Sequence, residues 1–220
     1  MMAVLFGIVV VLLSVGLPVG LLAVVTELAV GQVPWGWLIA LAVVMLVYSL
    51  FAAGLESYDL TTGAGWVMLV LDLTWSLPNT VFGALIGLWL YPIFGNPNKA
   101  NSAGHGWVCF MPRGGSGFGT NVLQTLGTVN LGGAGQHERM HLMQARLFGP
   151  LYLPLFAVFY VITFLIQGLF TLPWGLILKA AGVRSSAHFN PPSKSAVQGY
   201  FGWIYYATPF EVWAYASGNP

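Results

Sequence analysis

The residues best suited to chemistry in this chain are five consecutive ones, His137-Glu138-Arg139-Met140-His141. Residues four positions apart lie on the same face of an α-helix, so the two imidazoles can bind one Zn²⁺ between them. Glu138 follows the first of them and can take a proton from a water molecule at the metal. The spacing therefore predicts a site in which His137 and His141 are metal ligands and Glu138 is the catalytic base. The structural alternative is a polar helix whose histidines only form hydrogen bonds.

A zinc site of this type needs a third protein ligand, and the sequence offers three candidates. Catalytic sites with two histidines and one carboxylate keep the fourth position for water, which favours Glu211 in the carboxy-terminal run 208–215. His105 in the loop before the motif is the alternative, and His188 is a further option. Glu211 also has a structural interpretation, because acidic residues are favoured at a helix start such as the one expected after Pro209.

Composition places these residues in a membrane protein. Hydrophobic residues make up 57% of the 220 positions and charged residues only 6%, against about a quarter charged in soluble domains. We therefore expect the lipid bilayer as a partner. Seven Lys and Arg balance six Asp and Glu, which leaves no excess charge to hold nucleic acid. Cys109 is the only cysteine, so an intrachain disulfide is excluded and a buried thiol is expected.

Three apolar segments in the first 94 residues are long enough to cross a bilayer, at about 3–25, 35–55 and 66–91. The first lacks the charged start and cleavage site of a secretory signal, so we expect a retained anchor. The third contains polar residues at helical spacing, which are expected to face a partner or a cavity rather than lipid. These are Asp72, Ser76, Asn79 and Thr80. Asp72 lies near one end of the span, so helix capping or contact with interfacial water and a functional role are equally open for it. We expect Asn79 to satisfy backbone groups freed by Pro78.

The remaining chain divides into three regions. Residues 95–149 are predicted to form an extramembrane loop region that ends in the motif helix, with short strands near 106–111 and 122–130 and a flexible glycine-rich flap at 113–119. Residues 150–182 form a fourth apolar segment, and 183–220 an aromatic tail. The predicted fold class is an all-α integral membrane protein with three spanning helices (1–94), a fourth apolar segment, and a glycine-rich loop that could hold short β-strands.

The fourth segment allows two topologies. A helix over 150–178 would be about 43 Å long against a hydrocarbon core of about 30 Å, so it is either one tilted span or a re-entrant hairpin. The positive-inside rule favours the hairpin, because it puts every Lys and Arg on one side of the membrane, with the motif loop in the cytoplasm. These residues are Lys99, Arg113, Arg139, Arg146, Lys179, Arg184 and Lys194. A hairpin also returns Glu211 to the side of the motif, whereas a single span leaves His105 as the better third ligand.

The run 137–153, His-Glu-Arg-Met-His-Leu-Met-Gln-Ala-Arg-Leu-Phe-Gly-Pro-Leu-Tyr-Leu, resembles a known group of sequences. It is similar to little-characterised bacterial membrane proteins in which an HExxH helix is followed by Gln and then by Gly-Pro-Leu-Tyr-Leu. These proteins resemble gluzincin-type metallopeptidases. The likeness extends to Thr-Leu-Gly-Thr-Val-Asn-Leu-Gly-Gly at 125–133 and, more loosely, to the region of Glu211.

The resemblance implies a zinc metallopeptidase that hydrolyses a peptide bond at the interface of the bacterial inner (cytoplasmic) membrane. It implies that Zn²⁺ is held by His137, His141 and Glu211, with Glu138 as the base. The main alternative is a non-catalytic subunit that stabilises a larger photosynthetic or respiratory complex, with other membrane subunits as partners. For such a subunit, the small residues of the run 83–87 offer a helix-packing face. A transporter is a third possibility, but nothing in the chain resembles an inverted repeat.

Overall fold

The computed structural model describes residues 2–113, 124–132, 135–171, 173, 177 and 204–218. The chain forms two compact units, the first running to Tyr152 and the second over Leu153–Asn219. Several predictions fall outside the described residues. They concern most of the glycine-rich flap, the candidate ligand His188, and the positive charges Lys179, Arg184 and Lys194.

The first unit begins with five helices and one π-helical turn. They are α1 (Met2–Val30), α2 (Trp35–Gly54), α3 (Gly63–Leu73), α4 (Leu77–Phe82), the π turn (Gly83–Gly87) and α5 (Leu88–Phe94). Helices α1 and α2 pack against each other. Thr62 is the N-cap of helix α3, and its Oγ1 accepts a hydrogen bond from the backbone N–H of Gly65 at 3.1 Å. This N-cap satisfies one of the free donors at the helix start.

Four described helical stretches are long and apolar enough to cross a membrane. They are Met2–Val30, Trp35–Gly54, Leu77–Phe94 and Gln136–Phe170. The prediction of an apolar, helical membrane protein is confirmed to this extent. The third span differs from the expected 66–91, because the helix ends at Leu73 and a new one begins at Leu77. The backbone of Thr74, with φ −127° and ψ −83°, departs from helical geometry at this break.

A small sheet follows α5, which confirms the predicted strands in the loop region. Its strands are β1 (Gly95–Pro97), β2 (Val108–Pro112), β3 (Gln124–Leu126) and β4 (Val129–Leu131), with the short helix α6 (Lys99–Ser102) between β1 and β2. The order is β1-β2-β4-β3, with β2 parallel to β4 and the other pairs antiparallel. Strands β3 and β4 are joined by a two-residue turn, and its Gly127 has φ +55°. Strand β1 was not predicted.

Two glycines let the sheet lie directly on the membrane helices. A Cβ on Gly83 would collide with the carbonyl oxygen of Leu126, and one on Gly87 would lie 2.8 Å from Cγ1 of Val129. The small residues therefore pack against the β3–β4 hairpin of the same chain. The spacing of Gly83 and Gly87 predicts a surface that packs against another helix, whereas in the structure this surface packs against strands.

The hydrophobic core of the first unit lies between its apolar helices and the sheet. Its fully buried side chains include Tyr48 of α2, Leu69 of α3, Tyr91 of α5, Phe110 of β2 and Val129 of β4. Because the sheet contributes core residues to the same cluster as the helices, its strands are held in a fixed position relative to α4 and α5.

Helix α7 (Gln136–Phe148) and a 3₁₀ turn (Gly149–Leu151) complete this unit. Ser76, just before α4, and Asn79 within α4 supply additional donors at the end of α7, where the regular backbone hydrogen bonds of the helix run out. The carbonyl of Ala145 also accepts from the backbone N–H of Gly149. Ser76 Oγ donates to the carbonyl of Ala145 at 3.0 Å, and Asn79 Nδ2 donates to Ala145 at 3.2 Å and to Gly149 at 2.8 Å. Asn79 thus donates to Ala145 of α7 and to Gly149 of the 3₁₀ turn rather than to carbonyls of its own helix near Pro78.

A buried ion pair fixes α7 to α3. Arg146 Nε and Nη2 donate to the two oxygens of Asp72 at 2.8 and 2.7 Å, and Nη2 also donates to the carbonyl of Gly106 at 2.9 Å. The Tyr58 hydroxyl donates to Asp72 at 2.9 Å. Burial and then the Asp72 charge raise the pKa of Tyr58 well above its usual value, so the hydroxyl keeps its proton. Asp72 is therefore a buried partner of Arg146 and not a helix cap or an interfacial group.

The second unit contains helix α8 (Tyr152–Ile166, of which only Tyr152 belongs to the first unit), a π turn (Gln167–Thr171) and helix α9 (Pro209–Ser217). Within this unit the ring of Phe210 stacks on Phe156 at 6.2 Å between centroids and meets the edge of Phe159 at 5.3 Å. These aromatic contacts attach α9 to α8. Glu211 follows Phe210 in the first turn of α9.

Candidate metal centre

The motif occupies the first turns of α7, as its spacing predicts. His137, Glu138, His141 and Gln144 are buried, with exposures of 2%, 2%, 7% and 0%. Glu138 lies in the first turn and Arg146 in the last, so both charges complement the helix dipole. One face of the helix is polar and yet buried, which means that the side chains of this face need partners inside the protein.

The two imidazoles point their Nε2 atoms at each other. The Nε2 of His137 lies 3.1 Å from the Nε2 of His141, with ring centroids 4.7 Å apart and planes at 86°. Two nitrogens bound to one tetrahedral Zn²⁺ at about 2.0–2.1 Å are about 3.3 Å apart. The observed separation fits two ligands of a single ion.

Gln144 orients the second imidazole. Its Oε1 lies 3.0 Å from Nδ1 of His141, one turn along the same helix. An amide oxygen only accepts hydrogen bonds, so Nδ1 carries the proton and Nε2 of the neutral ring keeps its lone pair. That lone pair faces His137, as a metal ligand requires. A partner on the second nitrogen is the usual outer support of a metal-binding histidine.

Glu138 has one oxygen held and the other facing the imidazoles. Its Oε2 accepts a short hydrogen bond from the hydroxyl of Thr125 on β3. Its Oε1 lies 3.9 Å from Nε2 of His137. The carboxylate therefore lies close to the Nε2 of His137, where it can accept a proton from a water molecule at the site.

Glu211 is buried in the first turn of α9, with 3% of its surface exposed. Among the described residues, His137, His141 and Glu211 form the group of three buried side chains that could hold a metal ion. His105 is not in this group. Its Nε2 lies 3.4 Å from Nη2 of Arg139, and partial burial and then the Arg139 charge lower its pKa.

Three supporting residues were not identified from the sequence as part of the site. Gln144 lies three positions after His141, so its helical spacing was a usable signal. Thr125 and Asn130, whose Nδ2 lies 3.0 Å from Thr125 Oγ1, belong to the strands before the motif and reach it only through the sheet. Their run was noted for its resemblance, but neither residue could be given a role without the register of the strands.

No protein-family model, curated protein or solved structure matches this chain. Its class is therefore defined by its own fold and site. It has apolar helices that can span a membrane, and it has a buried group of two histidines and one carboxylate that could bind a metal ion.

Proposed function

We propose that this protein is a zinc-dependent membrane metallopeptidase that hydrolyses a peptide bond at the membrane interface. The observation that carries the proposal is the geometry of α7. The Nε2 atoms of His137 and His141 are 3.1 Å apart, and Oε1 of Glu138 lies beside them. The resemblance of the 137–153 run to gluzincin-like membrane proteins supports the same assignment.

The ion in this proposal is Zn²⁺, and its ligands are His137, His141 and Glu211. All three side chains are buried, and their donor types are those of catalytic zinc sites that keep a fourth position for water. When bound, Zn²⁺ supplies a positive charge that lowers the pKa of water and polarises a carbonyl group. His105 remains the alternative third ligand, but the neighbouring Arg139 guanidinium disfavours a cation there.

The chain's own residues supply the proton transfers. Glu138 Oε1 accepts a proton from the attacking water, whose oxygen forms a bond to the carbonyl carbon of the substrate. The carbon–nitrogen bond then breaks, and Glu138 returns the proton to the leaving amine nitrogen. Oε2 stays bonded to Thr125 throughout, so only one oxygen exchanges protons.

The proposed setting is the surface of a bacterial cytoplasmic membrane. The sheet that carries Thr125, the hydrogen-bond partner of Glu138, lies directly against the π turn between α4 and α5, which belongs to a candidate span. A site supported in this way suits a peptide that is close to the bilayer. We propose that the motif faces the cytoplasm, which follows from the distribution of Lys and Arg.

The test is metal analysis together with hydrolysis, on the full chain purified in detergent. We expect about one zinc per chain, as a single closed ligand set requires, and zinc-dependent cleavage of internally quenched peptides of mixed sequence. Glu138→Gln should retain zinc and lose cleavage by about 10²–10⁴-fold. His141→Ala should lose both, whereas His105→Ala should keep both.

A chain that binds no zinc would contradict the proposal and would favour the second candidate, a non-catalytic subunit of a larger membrane complex. The observation in favour of that candidate is the exposure of large aromatic side chains on the apolar helices. Trp35, Trp37 and Trp89 are 69%, 74% and 75% exposed. Partner subunits that co-purify with a zinc-free chain would support it.

A further inference from the structure

Three polar side chains lie side by side across the sheet beneath Glu138. Cys109 of β2 is paired with Asn130 of β4, and Asn130 is paired with Thr125 of β3. The sheet order β2-β4-β3 makes these three residues one continuous row across neighbouring strands. Side chains in such a row are within contact distance of each other.

The side chains of this row are joined by hydrogen bonds. Cys109 Sγ lies 3.3 Å from Asn130 Oδ1, and Asn130 Nδ2 lies 3.0 Å from Thr125 Oγ1. Thr125 Oγ1 then donates to Glu138 Oε2. The Cys109 thiol is also 3.9 Å from the carbonyl of Phe110, which is a longer contact. Cys109 and Asn130 are both 0% exposed, and Thr125 is half-buried.

The direction of these hydrogen bonds is fixed by chemistry. An ionised carboxylate only accepts, so the single proton of the Thr125 hydroxyl points at Glu138. The Thr125 oxygen must then accept from Asn130, which places the Asn130 amide nitrogen toward Thr125. The Asn130 carbonyl oxygen is thereby turned toward the Cys109 thiol, which can donate its proton. Each side chain in the row thus donates one proton in the direction of Glu138.

We propose that Thr125 and Asn130, with Cys109 behind them, form a positioning relay that holds Oε2 of Glu138 and so keeps Oε1 directed at the imidazole nitrogens. The inference rests on the proposed function, because it gives the relay a task in that reaction. Thr125 and Asn130 are positioning residues, since neither lies at the reacting atoms. A donor that meets one carboxylate oxygen fixes the rotation of the whole group.

The relay and the side chain that supports His141 belong to different elements, so a substitution can remove one and leave the other in place. Gln144 supports His141 from within α7, whereas the relay reaches Glu138 from the sheet. Removing the Thr125 hydroxyl should therefore lower kcat and leave the zinc content and KM unchanged. Loss of a supporting partner in metal sites usually costs about 10–100-fold in activity.

The kinetic test compares four variants of the full chain with internally quenched peptides as the probe. Thr125→Val should lower kcat by about 10–100-fold, and Thr125→Ser, which keeps the hydroxyl, should stay within about threefold of the parent. Asn130→Asp should act like Thr125→Val, because a carboxylate at 130 would take the Thr125 proton away from Glu138. The control is Thr80→Val, which removes another buried hydroxyl that bonds to the carbonyl of Asp72. It should leave kcat unchanged.

A second readout needs no turnover. Cys109 is the only cysteine, so the S–H stretching band in the infrared spectrum reports this one thiol. Asn130→Ala should move the band to higher frequency by removing the acceptor. Glu138→Ala should move it in the same direction by a smaller amount, because hydrogen bonds in a row strengthen one another. Thr80→Val should not move it.

The two readouts separate the relay from the proposed function. If the parent cleaves peptides but Thr125→Val retains full kcat, the relay is wrong and the peptidase stands. If the parent does not cleave, the peptidase fails, and the S–H band alone decides whether the row is connected. A band that is unchanged in both Asn130→Ala and Glu138→Ala overturns the relay in either case.

Discussion

The two ends of helix α7 are both surrounded by buried polar side chains, but their charges are completed in different ways. At the carboxyl end, Asp72 receives three hydrogen bonds, two of them from Arg146, so negative and positive charge are matched within the protein. At the amino end, the Nε2 atoms of His137 and His141 face each other beside the Glu138 carboxylate. The first arrangement needs no further group, whereas the second is suited to an added cation.

The comparison shows that α7 carries both a structural anchor, at its carboxyl end, and candidate metal ligands, at its amino end. The ion pair, together with the bonds from Ser76 and Asn79, fixes the last turn of α7 against α3 and α4. The first turns therefore belong to a helix whose last turn is held by hydrogen bonds and an ion pair. Catalytic groups held on such rigid elements keep their geometry better than groups on loops.

Of the predicted changes in stability, the greatest follows from removing the buried ion pair at the carboxyl end of α7. Arg146→Met leaves the Asp72 carboxylate buried without its counter-charge, which should lower the free energy of unfolding by about 3–5 kcal/mol. The measurement is equilibrium unfolding in mixed detergent micelles. The double variant Asp72→Leu with Arg146→Met should recover most of the loss, because no unpaired charge is left. Equal losses in the single and double variants would contradict the matched-charge interpretation.

The second prediction concerns how much Zn²⁺ stabilises the folded chain by binding at the amino end of α7. Free Zn²⁺ at a hundred times its Kd should raise the free energy of unfolding of the parent chain by about 2.7 kcal/mol, because the ion binds only the folded state. His141→Ala should lose this increase, and His105→Ala should keep it. The same micellar unfolding experiment, with and without Zn²⁺, provides the measurement. An increase that persists in His141→Ala would place the ion elsewhere.

The third prediction tests whether Gln144 orients His141, and it concerns the affinity for Zn²⁺. Gln144→Leu removes the acceptor for Nδ1 and should weaken Zn²⁺ affinity by about 10–100-fold, which is about 1.4–2.7 kcal/mol. Competition with a zinc-binding indicator measures the change. Gln136→Leu makes the same substitution at an exposed position of α7 and should have no effect. If both variants bind Zn²⁺ like the parent, Gln144 does not orient the ligand.

The smallest effect compares the buried ion pair with an exposed one. Lys99 Nζ lies 2.6 Å from Oε1 of Glu56, but the two side chains are 55% and 47% exposed. Lys99→Met should lower the free energy of unfolding by less than about 1 kcal/mol, since water and salt already screen this pair. The difference from the parent should shrink further at high salt. A loss as large as that of Arg146→Met would remove the distinction between the two pairs.

Much of the fold was predictable because lipid imposes a simple rule. Long apolar runs predict spanning helices, and the described helices at 2–30 and 35–54 follow that rule. The third span shows its limit. Asp72, Ser76, Asn79 and Thr80 recur at helical spacing, so the sequence indicates one continuous helix. At and just after the interruption at 74–76, Ser76 and Asn79 donate to the carbonyls of Ala145 and Gly149, and no local pattern reveals those contacts.

The same distinction holds for the site. His137, Glu138 and His141 could be named because their relation is one of spacing along a single helix. Thr125 and Asn130 could not be given roles. The hydrogen bond from Thr125 to Glu138, and the one from Asn130 to Thr125, depend on how three short strands pair. Strand β1 was missed for a related reason, because three residues that include Pro97 carry no alternation of apolar and polar positions.

The burial of the motif has a consequence for how an ion would enter and leave. His137 and Glu138 are each only 2% exposed, so a chelator in solution, like a peptide substrate, could reach an ion between the imidazoles only when the chain around the motif opens. Release would have to wait for a spontaneous opening of the chain, and the speed of zinc loss would report that opening rather than the strength of the bonds to the ion. A protein built in this way would keep through purification whichever metal it acquired as it folded.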